Sequence, residues 1–390
     1  FQRLELDRGI TILVQNVPDV PTVTVRGFIS GGMNLDPAAL AGRAQIVAAA
    51  MEERGHGELH FSAQPQFLGI DGWTSRDGIA EWLRQLAGAL SPQALGSGPF
   101  ELGRSRAQAV WQAEAAEQQA YEQWLGLLYG DDNPYGRDAR RYLDTSKTVT
   151  VGQANELLGQ LTRPNRLTLV FSGSITTQEI AQLLTPLIST LAAQDATPSA
   201  LPVGVAKTPG EKPPVVHVSG ASSPLVLTGT LAPSRNDPDY YAFAILNQIL
   251  GGESVGGRLA VRLRDKDGIA TVTQSRFLAG QGPMPFLISL RVRPGRVQEA
   301  LAGLEAELER LRTTPVSDYE LQRAIHSLEG TLQVSQANGV GRSNLLRSME
   351  LFHLPDTYVG SYRGVTAKQI QEVAQRRLAP GGFATVILEP

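Results

Sequence analysis

Two short stretches of this chain carry residue types that could do hydrolytic chemistry. His56-Gly57-Glu58-Leu59-His60 sets two imidazoles four residues apart with a carboxylate close by, the raw material of a zinc site that activates water. One zincin arrangement needs its Glu where Gly57 stands, and the inverted one needs it where Leu59 stands. From Glu58 a helix would point the carboxylate away from both rings, and Gly57 weakens the helix itself. The stretch reads as surface histidines. Gly252-Glu253-Ser254-Val255-Gly256 spells a nucleophile elbow, which requires a strand before it and a helix after it to expose the serine Oγ. A helical pattern precedes it here, so it reads as a glycine loop. His217, His326 and His353 are scattered. With no Cys in the chain, disulfides, thiol catalysis and Cys-bound metals are excluded.

The elements that must position any site are long amphipathic helices and alternating strands. A chain of 390 residues suggests two domains. At 42% hydrophobic and 19% charged it reads as soluble and globular; the sequence does not name the compartment, cytoplasmic or periplasmic. A net charge of −3 and the lack of any Lys/Arg-dense run give no footprint for nucleic acid, and the apolar stretches are too broken to span a membrane. Apolar residues at three- and four-residue spacing mark helices at 79–90, 100–128, 178–191, 298–311 and 318–332.

The chain is internally duplicated. Val149-Thr150-Val151-Gly152-Gln153 matches Val365-Thr366-Ala367-Lys368-Gln369, and without a gap Pro164 then falls on Pro380 and Val170 on Val386. Each copy reads as a Thr-capped helix, a Pro-marked loop and a strand. Strand 215–218, strand 225–231 and helix 237–250 likewise echo 11–15, 23–29 and 41–54. The Pro-rich stretch 196–214 reads as a linker. The expected architecture is therefore α+β with two homologous lobes, 1–195 and 215–390, on either side of that linker.

One helix carries the main clue to function. Strand Val23-Thr24-Val25-Arg26-Gly27-Phe28-Ile29 leads through Gly31-Gly32 to Gly42-Arg43-Ala44-Gln45-Ile46-Val47-Ala48-Ala49. Strand, glycine turn and Gly-x-Ala helix resemble the pitrilysin and mitochondrial processing peptidase family of inverted-motif zinc metallopeptidases. That family implies a mixed, mostly antiparallel sheet in each lobe with helices packed on one face. In active members this helix carries His-x-x-Glu-His, and here those places are Gln45, Ala48 and Ala49. An amide and two methyl groups neither bind Zn²⁺ nor deprotonate its water.

The family's other signatures are present in altered form. Asn133-Pro134-Tyr135-Gly136-Arg137 resembles its His-Pro-x-Gly-Arg turn. Counting back from Gly136 puts the third ligand position near Ala109, between Gln108 and Val110, with Glu114 the nearest acid. In the second lobe, Gly257-Arg258-Leu259 through Leu263-Arg264 to Gly268-Ile269-Ala270-Thr271 resembles the segment whose Arg and Tyr hold the scissile carbonyl and peptide backbone. Arg264 keeps the first of these and Thr271 replaces the second. An ordinary surface pair with Asp265 or Asp267 is the competing reading of Arg264. The passage between Gly55 and Ile79 is shorter than the family's, so the substrate-binding edge strand is not assigned within it.

The resemblance implies a chain with no cofactor of its own. It would be the zinc-less subunit of a heterodimeric peptidase, forming half of a peptide-enclosing chamber around an extended peptide, with zinc in a homologous partner subunit. The alternative is a homodimeric scaffold or peptide-binding protein with no peptidase activity. A third reading, an enzyme built on another constellation, has only the His56–His60 and glycine-loop stretches behind it.

Overall fold

The computed structural model describes residues 1–188, 191, 215–253, 255–355 and 361–390, so the expected linker at 196–214 lies outside the described residues. In chain order the elements begin with β1 (Gln2–Glu5), β2 (Thr11–Asn16), β3 (Thr22–Ser30), α1 (Arg43–Gly55), β4 (Leu59–Ala63), β5 (Phe67–Ser75), α2 (Ile79–Ala89) and α3 (Ser97–Gln112). Then come α4 (Ala116–Tyr129), α5 (Ala139–Ser146), α6 (Val151–Leu161), β6 (Leu167–Gly173) and α7 (Thr177–Ile188). The remainder is β7 (Val215–Ser219), β8 (Leu225–Ala232), α8 (Tyr240–Asn247), β9 (Ala270–Phe277), β10 (Met284–Val292), α9 (Val297–Thr313), α10 (Asp318–Ser335), α11 (Gly339–Phe352), α12 (Ala367–Arg377) and β11 (Ala384–Glu389).

The duplication is visible strand by strand. One sheet runs β1-β2-β6-β3-β5-β4 and the other β7-β11-β8-β10-β9. Among the described residues only β2–β6 and β7–β11 pair in parallel, and the other ladders are antiparallel. The matched helices α6 and α12 start alike. Thr150 and Thr366 each accept from the main-chain N–H three residues on, and the Gln side chain there accepts from the Thr N–H in return, a complete capping box twice over. Strand β6 is buried at every residue, which is why Leu167-Thr168-Leu169-Val170-Phe171 shows an unbroken run rather than alternation.

A single cut does not divide the chain. Phe1–Ala113, Ala139–Val203 and Val334–His353 make up one compact unit, and Glu114–Asp138, Gly204–Gln333 and Leu354–Pro390 make up the other. The expected boundaries of 1–195 and 215–390 miss this exchange. In the first unit, alternation on β3 sends Val23, Val25 and Ile29 into the core shared with α1, α2 and α6. The opposite face takes α11, a helix from the second half of the sequence. Arg347 of α11 reaches Asp71 of β5 at 3.1 Å, and Arg342 donates to the Ser172 hydroxyl at 3.1 Å.

The second unit mirrors this. Val226, Phe286, Ile288 and Ile387 pack with α8, α9, α10 and α12, while Leu225, Leu227, Leu287, Val386 and Leu388 on the other face pack with α4 from the first half. Each sheet therefore has its expected layer of helices on one face and, in addition, one borrowed helix on the other. This also corrects the single helix expected over 100–128. The chain leaves helical geometry at Ala113–Ala115, because Phe100, Ala107 and Trp111 bury in one unit whereas Ala120, Trp124 and Leu128 bury in the other.

Candidate functional site

Helix α1 begins at a close-packed turn. Gly42 takes the left-handed conformation at its N-cap (φ 89°), and a Cβ there would lie 2.9 Å from the Trp111 ring. Asp36 completes the start, accepting from the Ala44 N–H at 2.8 Å and from the buried Arg43 guanidinium at 3.0 Å. Helix α3 crosses close by. A Cβ on Gly103 would sit 2.7 Å from the Ile46 carbonyl and 2.8 Å from the Ala50 nitrogen, so only glycine permits this approach.

The side chains on α1 are unsuited to a metal. Gln45 and Ala49, one turn apart, share a half-buried face, and Ala48 is buried. The Gln45 amide donates to Met33 Sδ at 3.0 Å, and its Oε1 is buried without a partner. The zinc that the fold family implies does not fit this set, and no step can be derived through it. Among the described residues, no three His, Cys, Asp or Glu side chains gather to hold an ion.

The third position needs a correction. Ala109 is exposed, and at about 100° per residue it lies across α3 from the buried stripe Phe100, Gly103, Ala107 and Trp111. Ala109 thus does not face α1. The stripe that does contains no carboxylate, and the one acid of α3, Glu101, is exposed. Glu114 belongs elsewhere: burial first, then the neighbouring Glu122 and Asp138, push its carboxyl up to about 7.

The unassigned passage between Gly55 and Ile79 holds a hairpin, β4–β5, with β4 as the outer strand of its sheet. It also accounts for the histidine pair. His56 caps the end of α1 with φ 60°, and His60 lies on β4, so the two never share a helix face. The glycine loop follows α8 and a π-helical turn, Gln248–Gly252, rather than a strand; Ser254 lies outside the described residues.

In the second unit, Arg264 sits on another π-helical turn, Ala260–Lys266. Its Nε donates to Asp265 Oδ1 at 2.8 Å, and this hydrogen bond raises its already high pKa. Arg264 is a permanent, part-exposed cation held by its chain neighbour. Thr271, at the Tyr position, lies exposed on β9, the outer strand of the second sheet, and donates to the Arg291 carbonyl at 3.3 Å. A short Thr hydroxyl bound within the sheet has no reach comparable to a phenol.

Residues 148–328 match the family model of the peptidase M16 inactive domain. An uncharacterized zinc protease of Streptomyces coelicolor is 22% identical over 265 residues, which is 64% of this chain and 55% of that protein, so the match spans little more than half of that relative. The solved peptidase M16 inactive domain of Pseudomonas fluorescens superposes with a TM-score of 0.83 at 20% identity, over 100% of this chain and 97% of that one. A protease from Helicobacter pylori gives 0.86 at 16% identity, over 100% and 99%. No helix among the described residues is long and apolar enough to cross a membrane. The chain is M16-like: residues 148–328 match the peptidase M16 inactive domain, the fold is that of solved M16 proteins, and helix α1 carries Gln45, Ala48 and Ala49.

Proposed function

We propose that this chain is the zinc-less subunit of a two-chain M16 peptidase. The observation that carries the reading is α1: Gly42, Asp36 and Gly103 keep the helix and its crossing with α3, while the metal positions hold Gln45, Ala48 and Ala49. Selection for a folded metal site would not tolerate those side chains, whereas selection for a wall of the same shape would. Zinc belongs to the homologous partner subunit. Together the two chains enclose an extended peptide, and the peptide gains main-chain hydrogen bonds by adding to an outer strand such as β4. Arg264 is a donor suited to the partner's reaction centre.

A second reading, a homodimeric scaffold or peptide-binding protein, is favoured by Thr271 in place of the phenolic donor. The test is gentle capture of the tagged chain from its own source, followed by native mass and identification of whatever accompanies it. A near-equimolar protein of similar size with His-x-x-Glu-His supports the heterodimer. Recovery of the chain only with itself, free of zinc, makes the scaffold the better account.

A further inference from the structure

The second unit contains a cavity of about 270 Å³ that is separate from the Arg264 position. Its lining runs through Val261, Arg262 and Lys266 on the π-helical turn and leaves out Arg264. The other walls come from the turn after the glycine loop and from α9 and α10. Five cations line it, Arg258, Arg262, Lys266, Arg310 and Arg323, against two carboxylates.

Pairing uses only part of this charge. Glu320 grips Arg258 through two bonds of 2.7 and 3.1 Å, Asp267 takes Arg262 at 2.6 Å, and Glu307 stands 3.7 Å from Arg310. Arg323 donates one N–H to the Gly256 carbonyl at 2.7 Å and stands 3.4 Å from Glu253. Donors remain after this. Arg258 Nη1 is buried with no hydrogen-bond partner, Arg323 Nε is buried with only the 3.4 Å ion pair to Glu253 and no hydrogen bond, and Lys266 has no acid partner among the described residues. The Arg258 side chain is only 6% exposed. A buried guanidinium N–H without an acceptor is costly, so a donor left open in a cavity wall points to an acceptor that belongs there.

We propose that this cavity binds a small multivalent oxyanion of the phosphate class, taken as inorganic phosphate, as pyrophosphate or as the terminal phosphates of a nucleotide. The donors come from separate elements and converge from different directions. A tetrahedral oxyanion offers acceptors to all of them, whereas a planar carboxylate satisfies one guanidinium fork. The volume lies below the roughly 300–1,000 Å³ of drug-sized ligand sites, which suits a small group. Two carboxylates oppose an anion: Glu320 is held by the Arg258 fork, and Glu307 Oε2, which accepts no hydrogen bond and stands 3.7 Å from Arg310, matches the P–OH that a hydrogen phosphate retains.

The test uses the full chain at low ionic strength, titrated with sodium phosphate, sodium pyrophosphate and ADP, with sodium chloride at matched ionic strength as control. Calorimetry and the shift in Tm are read together. Saturable binding of at least one phosphate compound, with a rise in Tm that chloride does not reproduce, is the expected result. Tighter binding of ADP than of pyrophosphate identifies a nucleotide as the source, and the reverse identifies the free anion. In K266Q/R310Q, two changes at the solvent-facing rim, the unliganded Tm stays at the wild-type value while affinity falls roughly tenfold or more. R258K, which keeps the charge beside Glu320 and loses the fork, weakens binding as well; should it fail to fold, K266Q/R310Q decides. No saturable binding of any of the three compounds overturns the proposal, and so does undiminished affinity in K266Q/R310Q.

Discussion

The indole Nε1 of Trp124 donates a 3.0 Å hydrogen bond to the main-chain carbonyl of Ala384, 260 residues further along the chain. Trp124 is fully buried on a sheet whose strands all come from the other half of the sequence. With Ala120, Leu128 and Tyr129 it supplies the α4 side of that core. Trp124→Ala removes the ring and leaves the Ala384 carbonyl unpaired, at a cost of about 3–5 kcal/mol, a large share of the stability of an ordinary domain.

The same exchange makes the halves interdependent. A fragment of 215–390 lacks α4, and a fragment of 1–195 lacks α11, so each exposes one apolar or charged sheet face. Expressed alone, neither fragment is expected to unfold cooperatively; co-expressed, they should recover a cooperative transition and slow amide exchange in β8 and β11. If 215–390 alone melted at the Tm of the intact chain, α4 would be an accessory to that unit and not a part of it.

Glu114 lies just where the chain passes from α3 to α4, with its carboxyl pushed up to about 7 by burial, by Glu122 and by Asp138. In the unfolded chain a Glu titrates near 4.3. Between these values the folded chain holds more protons than the unfolded one, so stability falls as pH rises from about 4.5 to 7 and stays low above that. Glu114→Gln removes the ionisation. Its effect should vanish at pH 4 and become stabilising at pH 8, by about 1 kcal/mol once solvent screening of a half-exposed group is counted. Chemical denaturation at the two pH values measures this, and an equal ΔΔG at both would mean that Glu114 titrates as an ordinary surface acid.

The repeat made most of this fold readable. Thr150 and Gln153 match Thr366 and Gln369 in sequence, and both pairs close the same capping box. The helix break at 113–115 left no mark, because Ala113-Glu114-Ala115-Ala116 are all good helix formers. What breaks the helix is the destination of Trp111 and Trp124, which is a matter of tertiary packing. That break also explains Ala109. Counting back from Gly136 crosses it, and helical phase is lost on the way, so the third ligand position landed on an exposed face. On α1 the phase of Gln45, Ala48 and Ala49 is fixed, because they are counted from Gly42 within one unbroken helix. The cavity beside the π-helical turn was hidden for another reason: its cations come from four segments, and no single stretch is basic.

Restoring the α1 motif separates the missing side chains from the missing site. Gln45 and Ala49 share a face, so Q45H/A48E/A49H places two imidazoles and the carboxylate in their motif order. The buried face of α3 still offers no carboxylate, and a catalytic zinc needs three protein ligands. The triple variant should therefore fold, bind zinc weakly and lose it on dialysis against a chelator, with no peptidase activity alone. Stoichiometric zinc after dialysis would reveal a third donor that the α3 stripe does not supply.

The contribution of Arg264 is decided only in a complex with a zinc-bearing partner. In the free chain its guanidinium is held by Asp265 at 2.8 Å, so engaging a substrate carbonyl means exchanging one acceptor for another. If it acts as an oxyanion donor, Arg264→Ala lowers kcat by roughly ten- to a thousandfold with little change in assembly. Asp265→Asn, which frees the guanidinium, moves kcat the other way or leaves it unchanged. Thr271→Tyr adds the phenol on an exposed position of an outer strand, where an aromatic residue suits the backbone. It should raise kcat on the Arg264 background and do nothing in R264A, because a donor pair acts as a unit. Equal turnover for wild type and R264A would remove this chain from the chemistry and leave it as wall alone, with Thr271 a natural consequence of a position no longer under catalytic selection.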